Sequence, residues 1–224
     1  MQYFSKIKAV KETDEGTDLI IHIPGEHIKN KAMKYSNDAE IRLNDNRTIT
    51  PEQRKKIYAT IKDISLYTGD EPEYLKEFLK FDYCGESGEE YFSLSNCSIG
   101  TAKDFITHII DFVLKYNIPL SDIGVNRTDD IDKYLYGCIK YRRCAITGRA
   151  GADIHHCEGS RIGMGGNRKK ISNKGRKLIA LSRVWHNKVH QEGEEEIFKL
   201  YKIYGITLND VALKELRLSE ADIS

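Results

Sequence analysis

Four of the seven histidines in this chain lie in two short clusters, His155-His156 and the segment His186-Asn187-Lys188-Val189-His190. His186 and His190 are four residues apart, so on a helix both imidazoles leave the same face about one turn from each other. Two neutral imidazoles in that geometry can hold one divalent cation. The second cluster therefore predicts a metal site.

The adjacent residues His155 and His156 are predicted to have different chemical roles. Alternation around Ile154 predicts a short strand, and neighbours on a strand point to opposite faces. Both rings therefore cannot bind one ion without distortion, but one can reach the metal while the other faces a water and a phosphate. Phosphodiester hydrolysis needs a cation to offset charge on the phosphate and a base to activate water. Histidine suits the base because its ordinary pKa lies near working pH.

The segment between the two clusters is rich in glycine and cations. Glycines let a backbone approach a ligand closely, and cations supply phosphate contacts. We expect this segment to face DNA. The candidate DNA contacts are Arg161, Arg168, Lys169, Lys170, Arg176 and Lys177.

The charge distribution is strongly asymmetric. From Arg142 to His190 the chain holds twelve Lys and Arg against Asp153 and Glu158, a net charge of +10. Because the whole chain carries +1, the remainder carries −9. Clustered positive charge beside histidines predicts a polyanion ligand, and a solvated basic face is the alternative.

The composition is that of a soluble globular protein, with 224 residues, 40% of them apolar and 31% charged. No apolar run is long enough to span a membrane, and the first ten residues lack the apolar core of a signal peptide, so we expect a cytoplasmic protein.

The five cysteines are scattered without a C-x-x-C pair. They predict free thiols and give little support to a structural zinc site.

The first 48 residues favour strands. Ser5–Val10 and Asp18–Pro24 are short apolar runs separated by the turn signal Thr13–Gly16, and Ala39–Leu43 alternates like a further strand. His22 falls within the second run. His22 and His27 are expected to be ordinary strand and loop residues.

A helical region follows. Thr50, Pro51 and Gln53 form a capping-box pattern, which predicts a helix to about Tyr67. Pro72 opens a second helix. We expect two more helices, one capped by Thr101 and stopped at residues 117–119, and one over Asp130–Tyr141.

The C-terminal part combines short strands with helices. The residues around Ile154 and the run Leu178–Leu181 predict two strands, and a helix is expected from Ser182 through His190. An acidic helix over Glu194–Tyr204, with Gly205 as the residue after its end, and a last helix over Leu208–Leu218 complete the prediction. The chain is therefore expected to be α+β.

The order of strand, basic loop, strand and helix with H-x-x-x-H resembles the HNH ββα-metal fold. More closely, five short segments resemble HNH nucleases encoded in phages and prophages of Gram-positive bacteria. Those segments are Cys144–Gly148, Asp153–His156, Gly163–Gly165, His186–His190 and Tyr204–Ile206. The resemblance covers about 141–208. It implies that His155, His186 and His190 bind the metal and that His156 is the general base.

The sequence departs from that pattern at two places. The middle Asn, which orients the base, is expected just before Leu178, where Lys177 stands; Asn173 is the nearest upstream candidate. Many HNH proteins also carry two C-x-x-C pairs for a structural zinc. Only Cys144 stands in place here, so we expect that zinc to be absent and packing by Trp185 to replace it.

The region of about 50–121 is similar to phage Orf-type (NinB) recombination mediators. The segments that carry this similarity are Thr50–Tyr58 and Ala102–Leu120. Those proteins are dimeric binders of single-stranded or gapped DNA that assist strand exchange. A plain helical scaffold is the alternative for this region.

Together the patterns predict a β/helical N-terminal domain over 1–135 that docks on DNA or a partner, followed by an HNH nuclease domain over 136–224. The expected activity is hydrolysis of DNA phosphodiester bonds with one divalent ion, Mg²⁺ or Mn²⁺, with Zn²⁺ as an alternative. The resemblance implies a homodimer acting in phage recombination or replication on single-stranded, gapped or branched DNA, with recombination proteins, in the host cytoplasm.

Two rival functions stay open at this point. One is a non-catalytic DNA-binding recombination mediator in which the histidines hold a structural metal. The other is a metal-binding assembly module that meets no nucleic acid, which the +10 segment argues against.

Overall fold

The computed structural model describes residues 5–23, 29, 47–157, 159 and 173–218. Within these ranges, five strands form two small antiparallel sheets and eight helices supply most of the regular structure. The predicted α+β class is therefore confirmed. No helix in this part of the chain is both long enough and apolar enough to cross a membrane.

An exposed β-hairpin lies at the N-terminal end. Strands β1 (Lys6–Thr13) and β2 (Gly16–His22) pair antiparallel around the predicted turn. The first two predicted strands are thus confirmed, with shifted ends. The predicted strand at Ala39–Leu43 and residue His27 lie outside the described residues.

Three long helices form the core of the next region: α1 (Pro51–Thr68), α2 (Pro72–Ser87) and α3 (Ile99–Tyr116). The predicted capping box opens α1. The Thr50 hydroxyl accepts a hydrogen bond from the Gln53 backbone N–H, and the Gln53 side chain accepts one from the Thr50 N–H.

Helix α3 begins before the predicted position. The Ser98 hydroxyl oxygen accepts a hydrogen bond from the Thr101 backbone N–H at 2.9 Å, so Ser98 is the N-cap and Thr101 lies inside the helix. The prediction that Thr101 caps this helix was wrong, because Ser98 already satisfies a free N–H of the first turn. The helix ends where predicted, at Asn117, which adopts a left-handed conformation with φ of 56°.

The second sheet contains β3 (Asp153–His156), β4 (Lys177–Leu181) and β5 (Ile206–Thr207), in that spatial order and all antiparallel. The pairing sets His155 opposite Ile179 and His156 opposite Leu178. Both strands predicted on either side of the basic loop are confirmed. Strand β5 was not predicted.

Helix α6 (Arg183–Glu192) follows β4 directly, with Ser182 at its N-cap position as predicted. Helix α7 (Glu194–Tyr201) ends three residues before the predicted Tyr204. The next residue, Lys202, caps it in a left-handed conformation. Gly205 is therefore not the residue that ends this helix.

Gly205 has a packing role instead. A Cβ at this position would lie 2.3 Å from Sγ of Cys157, so only glycine lets the two segments approach this closely. The last helix is shorter than the predicted Leu208–Leu218, because the Asn209 side chain caps its N-terminus by accepting a hydrogen bond from the Ala212 backbone N–H. Helix α8 (Asp210–Glu215) begins after the N-cap Asn209.

Two further helices, α4 (Gly124–Arg127) and α5 (Ile131–Lys140), link the helical region to the second sheet. Helix α5 packs against α3 and also against β4. Its Tyr134 is fully buried and donates a hydrogen bond to the Ala145 carbonyl oxygen at 2.9 Å. The predicted domain boundary after residue 135 falls inside α5, and buried residues of both parts form one core.

Tyr134→Phe should lower the free energy of unfolding by about 1–2 kcal/mol, because the buried Ala145 carbonyl loses its hydrogen-bond donor. Urea denaturation followed by circular dichroism measures this. The matched control is Tyr136→Phe, which removes the same hydroxyl from a half-buried ring on the same helix. Equal stability losses in the two variants would contradict the role given to the Tyr134 hydrogen bond.

Candidate metal centre

Three imidazoles converge between β3 and α6. The ring centroids of His155, His186 and His190 are 4.8–5.1 Å apart, and one nitrogen from each ring lies within 4.8 Å of those of the other two. Nitrogens this close can share one divalent ion, for which bonds of about 2.0–2.1 Å are typical of zinc. The structure thus brings together the three residues predicted as metal ligands.

Local structure explains this convergence. His155 points inward from β3 and is 1% exposed, whereas His156 points to the opposite face and is half-buried. His186 and His190 lie one helical turn apart on α6, with His186 half-buried and His190 exposed. The three rings therefore form a site that is closed on the strand side and open to solvent at His190.

The surroundings of His186 favour its neutral form. Burial, and then the neighbouring His155 and His190 rings, lower the pKa of His186 below its ordinary value. A neutral ring keeps the lone pair that a metal requires. The arrangement of His186 is therefore suited to binding a cation at neutral pH.

The His156 ring contacts Asn173, one of the two candidates for the residue that orients the base. Nε2 of His156 lies 2.7 Å from Oδ1 of Asn173, and Nδ2 of Asn173 donates to the Leu218 carbonyl oxygen at 2.8 Å. That carbonyl can only accept, so the amide must present its oxygen to His156. His156 then carries its proton on Nε2 and its lone pair on Nδ1, an assignment made from the hydrogen-bond network. Lys177 lies exposed at the start of β4.

A second group of donors shares His155. Its Nε2 lies 3.1 Å from Oε2 of Glu194, and the ligand atoms of His155, Cys157 and Glu194 all lie within 4.8 Å of one another. All three residues are buried. Burial, and then the adjacent Glu194 carboxylate, raise the pKa of the Cys157 thiol to about 12, so the thiol stays protonated and donates to Glu194.

Glu194 was missed by the sequence analysis. It begins a run of three glutamates that indicates only an acidic helix start, and Glu195 and Glu196 are indeed exposed. Glu194 differs because it is 8% exposed, with its carboxylate against a histidine. No periodicity within the run distinguishes one glutamate from the next.

The other cysteines take no part in this site. All five are free thiols, as predicted, and among the residues that the structure describes only Cys157 belongs to a group that could hold a metal. Trp185, which is predicted to pack where other HNH proteins carry a structural zinc, lies edge-on against Tyr201 with centroids 5.0 Å apart. Lys188 lies over the Trp185 ring at 4.8 Å.

The basic residues predicted to contact DNA are only partly described. Arg176, just before β4, is half-buried, and Lys177, the first residue of β4, is exposed. Arg161, Arg168, Lys169 and Lys170 lie outside the described residues.

Two antiparallel strands followed by a helix, with imidazoles from β3 and α6 converging, define the ββα-metal class of site. The family model described as "Putative HNHc nuclease" matches residues 21–218 of the chain. The chain therefore belongs to this family of HNH nucleases. Comparisons with curated proteins and with solved structures gave no significant match.

His186→Ala should weaken the affinity for Mn²⁺ or Co²⁺ strongly, because only two of the three converging imidazoles remain. Isothermal titration of the purified protein measures the change. His22→Ala, which removes an exposed imidazole at the end of β2, is the control and should leave the affinity unchanged. If both variants bind the ion like the unaltered chain, the three rings are not a metal centre.

Proposed function

We propose that this protein is a metal-dependent endonuclease that hydrolyses DNA phosphodiester bonds at the site between β3 and α6. The observation that carries the proposal is the contrast between two adjacent histidines. His155 joins the cluster with His186 and His190, whereas His156 points the other way and is oriented by Asn173. Membership of the nuclease family agrees with this proposal.

His156 is the general base in this proposal. Its Nε2–H donates to Asn173, so its Nδ1 is free to accept a proton from water as the water oxygen attacks phosphorus. The new O–P bond forms, the bond to the leaving oxygen breaks, and that oxygen takes a proton from solvent. Asn173 is a positioning residue, because it holds the ring in the tautomer that accepts at Nδ1.

A divalent cation on His155, His186 and His190 would offset charge on the phosphate and on the leaving oxygen. Three imidazole donors suit a transition ion better than Mg²⁺, which prefers oxygen ligands. We therefore favour Mn²⁺ over Mg²⁺ as the physiological ion, with Zn²⁺ as the competitor that the same donors would bind.

DNA is the proposed substrate because the segment that carries the site is the basic part of an otherwise acidic chain, +10 against −9. Because His190 is exposed, the proposed site reaches the protein surface, where a polymer can contact it. By the resemblance to phage proteins, we place the activity in phage recombination or replication, in a homodimer.

One assay separates the nuclease from the recombination mediator. Linear, gapped, forked and four-way DNA are incubated with the protein and Mg²⁺, Mn²⁺ or Zn²⁺, with EDTA as the metal-free control. A nuclease cuts with Mn²⁺ and stops with EDTA. Tight metal and DNA binding without cutting on any substrate would establish the mediator instead.

His156→Ala should retain metal and DNA binding but lose about 10²–10⁴-fold in cleavage rate, which is typical of general-base loss. Single-turnover cleavage with saturating Mn²⁺, combined with metal titration, measures both properties. His155→Ala is the matched neighbour and should lose metal affinity as well as cleavage. The opposite pattern in the two variants would mean that the roles of the adjacent pair are exchanged.

Replacing Arg168, Lys169 and Lys170 together by alanine should weaken DNA binding regardless of sequence. The slope of log K against log[salt] should become shallower by about 0.9 for each phosphate of duplex DNA that the variant no longer neutralises. A matched control replaces Lys6, Lys8 and Lys11 of the exposed hairpin by alanine. It removes the same three positive charges at positions far in sequence from the histidines. Equal slopes in both variants would show that only net charge matters.

A further inference from the structure

We propose that Glu194 is a positioning residue for the metal centre: its carboxylate holds Nε2 of His155 so that Nδ1 faces the ion. The inference rests on the proposed metal centre and adds a residue to it. Neither the histidine pattern nor the family match assigns a role to this glutamate.

The burial of Glu194 calls for an explanation. A carboxylate that is 8% exposed costs free energy unless hydrogen-bond donors or cations pair with it. Its partners include the His155 ring, at 3.1 Å, and the Cys157 thiol. The His155 ring is itself 1% exposed, so the pair is shielded from water and its geometry is strongly constrained.

The proposed pairing decides which nitrogen of His155 carries the lone pair. An ionised carboxylate only accepts hydrogen bonds, so in the proposed pairing Nε2 of His155 carries the proton and Nδ1 carries the lone pair. Glu194 groups with His155 and Cys157 but not with His186 and His190. The carboxylate therefore lies behind the ring rather than among the metal ligands, and an anionic partner there strengthens the imidazole as a donor.

The order of the helices along the chain places the Glu194 carboxylate beside His155. Gly193 separates α6 from α7 with φ of 102°, a conformation that side chains rarely adopt, and Glu194 is the first residue of α7. The helix that carries His186 and His190 thus leads directly into the residue that holds His155. One continuous segment supplies two ligands and orients the third.

The test compares Glu194→Gln with Glu195→Gln, which makes the same charge change on the exposed neighbour. Glu194→Gln should weaken Mn²⁺ binding by about 10–100-fold with the stoichiometry still one, and Glu195→Gln should bind as tightly as the unaltered chain. The visible spectrum of the Co²⁺-loaded protein should shift only in Glu194→Gln. At saturating Mn²⁺, cleavage by Glu194→Gln should recover, because His156 and Asn173 are unchanged.

A second test of the proposed His155 orientation uses the unaltered chain alone. In protein labelled with ¹⁵N-histidine and loaded with Zn²⁺, long-range ¹⁵N–¹H correlation spectra should show His155 bound through Nδ1 and protonated on Nε2. Coordination through Nε2 would overturn the proposal, whether or not the Glu194 variants fold.

Two other results would also overturn the role proposed for Glu194. One is equal Mn²⁺ affinity in Glu194→Gln and Glu195→Gln. The other is two ions bound by the unaltered chain and one by Glu194→Gln, which would make Glu194 a ligand. Failure of the nuclease function itself looks different. The unaltered chain would then bind Mn²⁺ with the predicted Glu194 dependence but cut no DNA.

Discussion

The pairing of β3 with β4 is the constraint on which the candidate site depends. The register sets His155 opposite Ile179 and His156 opposite Leu178, and strand alternation then sends the two imidazoles to opposite faces. A slip of one residue would exchange these faces and place His156 against α6. The fully buried run Leu178–Leu181 opposes such a slip, because it anchors β4 in the core.

The site also depends on residues far apart in the chain. Asn173, just before β4, orients His156, and its own amide is held by the Leu218 carbonyl oxygen after α8. Cys157 and Gly205 meet closely enough that a Cβ at the glycine would clash with the thiol. The C-terminal helices are therefore part of the support for the histidines, even though they carry none of the predicted ligands.

The features that could be predicted from the sequence are local ones. The Thr50 capping box and the spacing of His186 and His190 each involve residues within one helical turn, where spacing alone sets geometry. Choosing Asn173 over Lys177 as the partner of His156 needs the path of the chain between β3 and β4, which spacing does not define. Glu194 could not be told from its neighbours because the turn at Gly193 sets the rotation of α7.

The adjacent histidines have partners of different charge, and this difference fits different chemical tasks. His155 donates to the Glu194 carboxylate, and a negative charge behind the ring makes its other nitrogen a stronger donor for a cation. His156 donates to the neutral Asn173 amide, which sets direction and tautomer without adding charge. Two rings that are neighbours on one strand can therefore serve as ligand and base because the fold gives each a different hydrogen-bond acceptor.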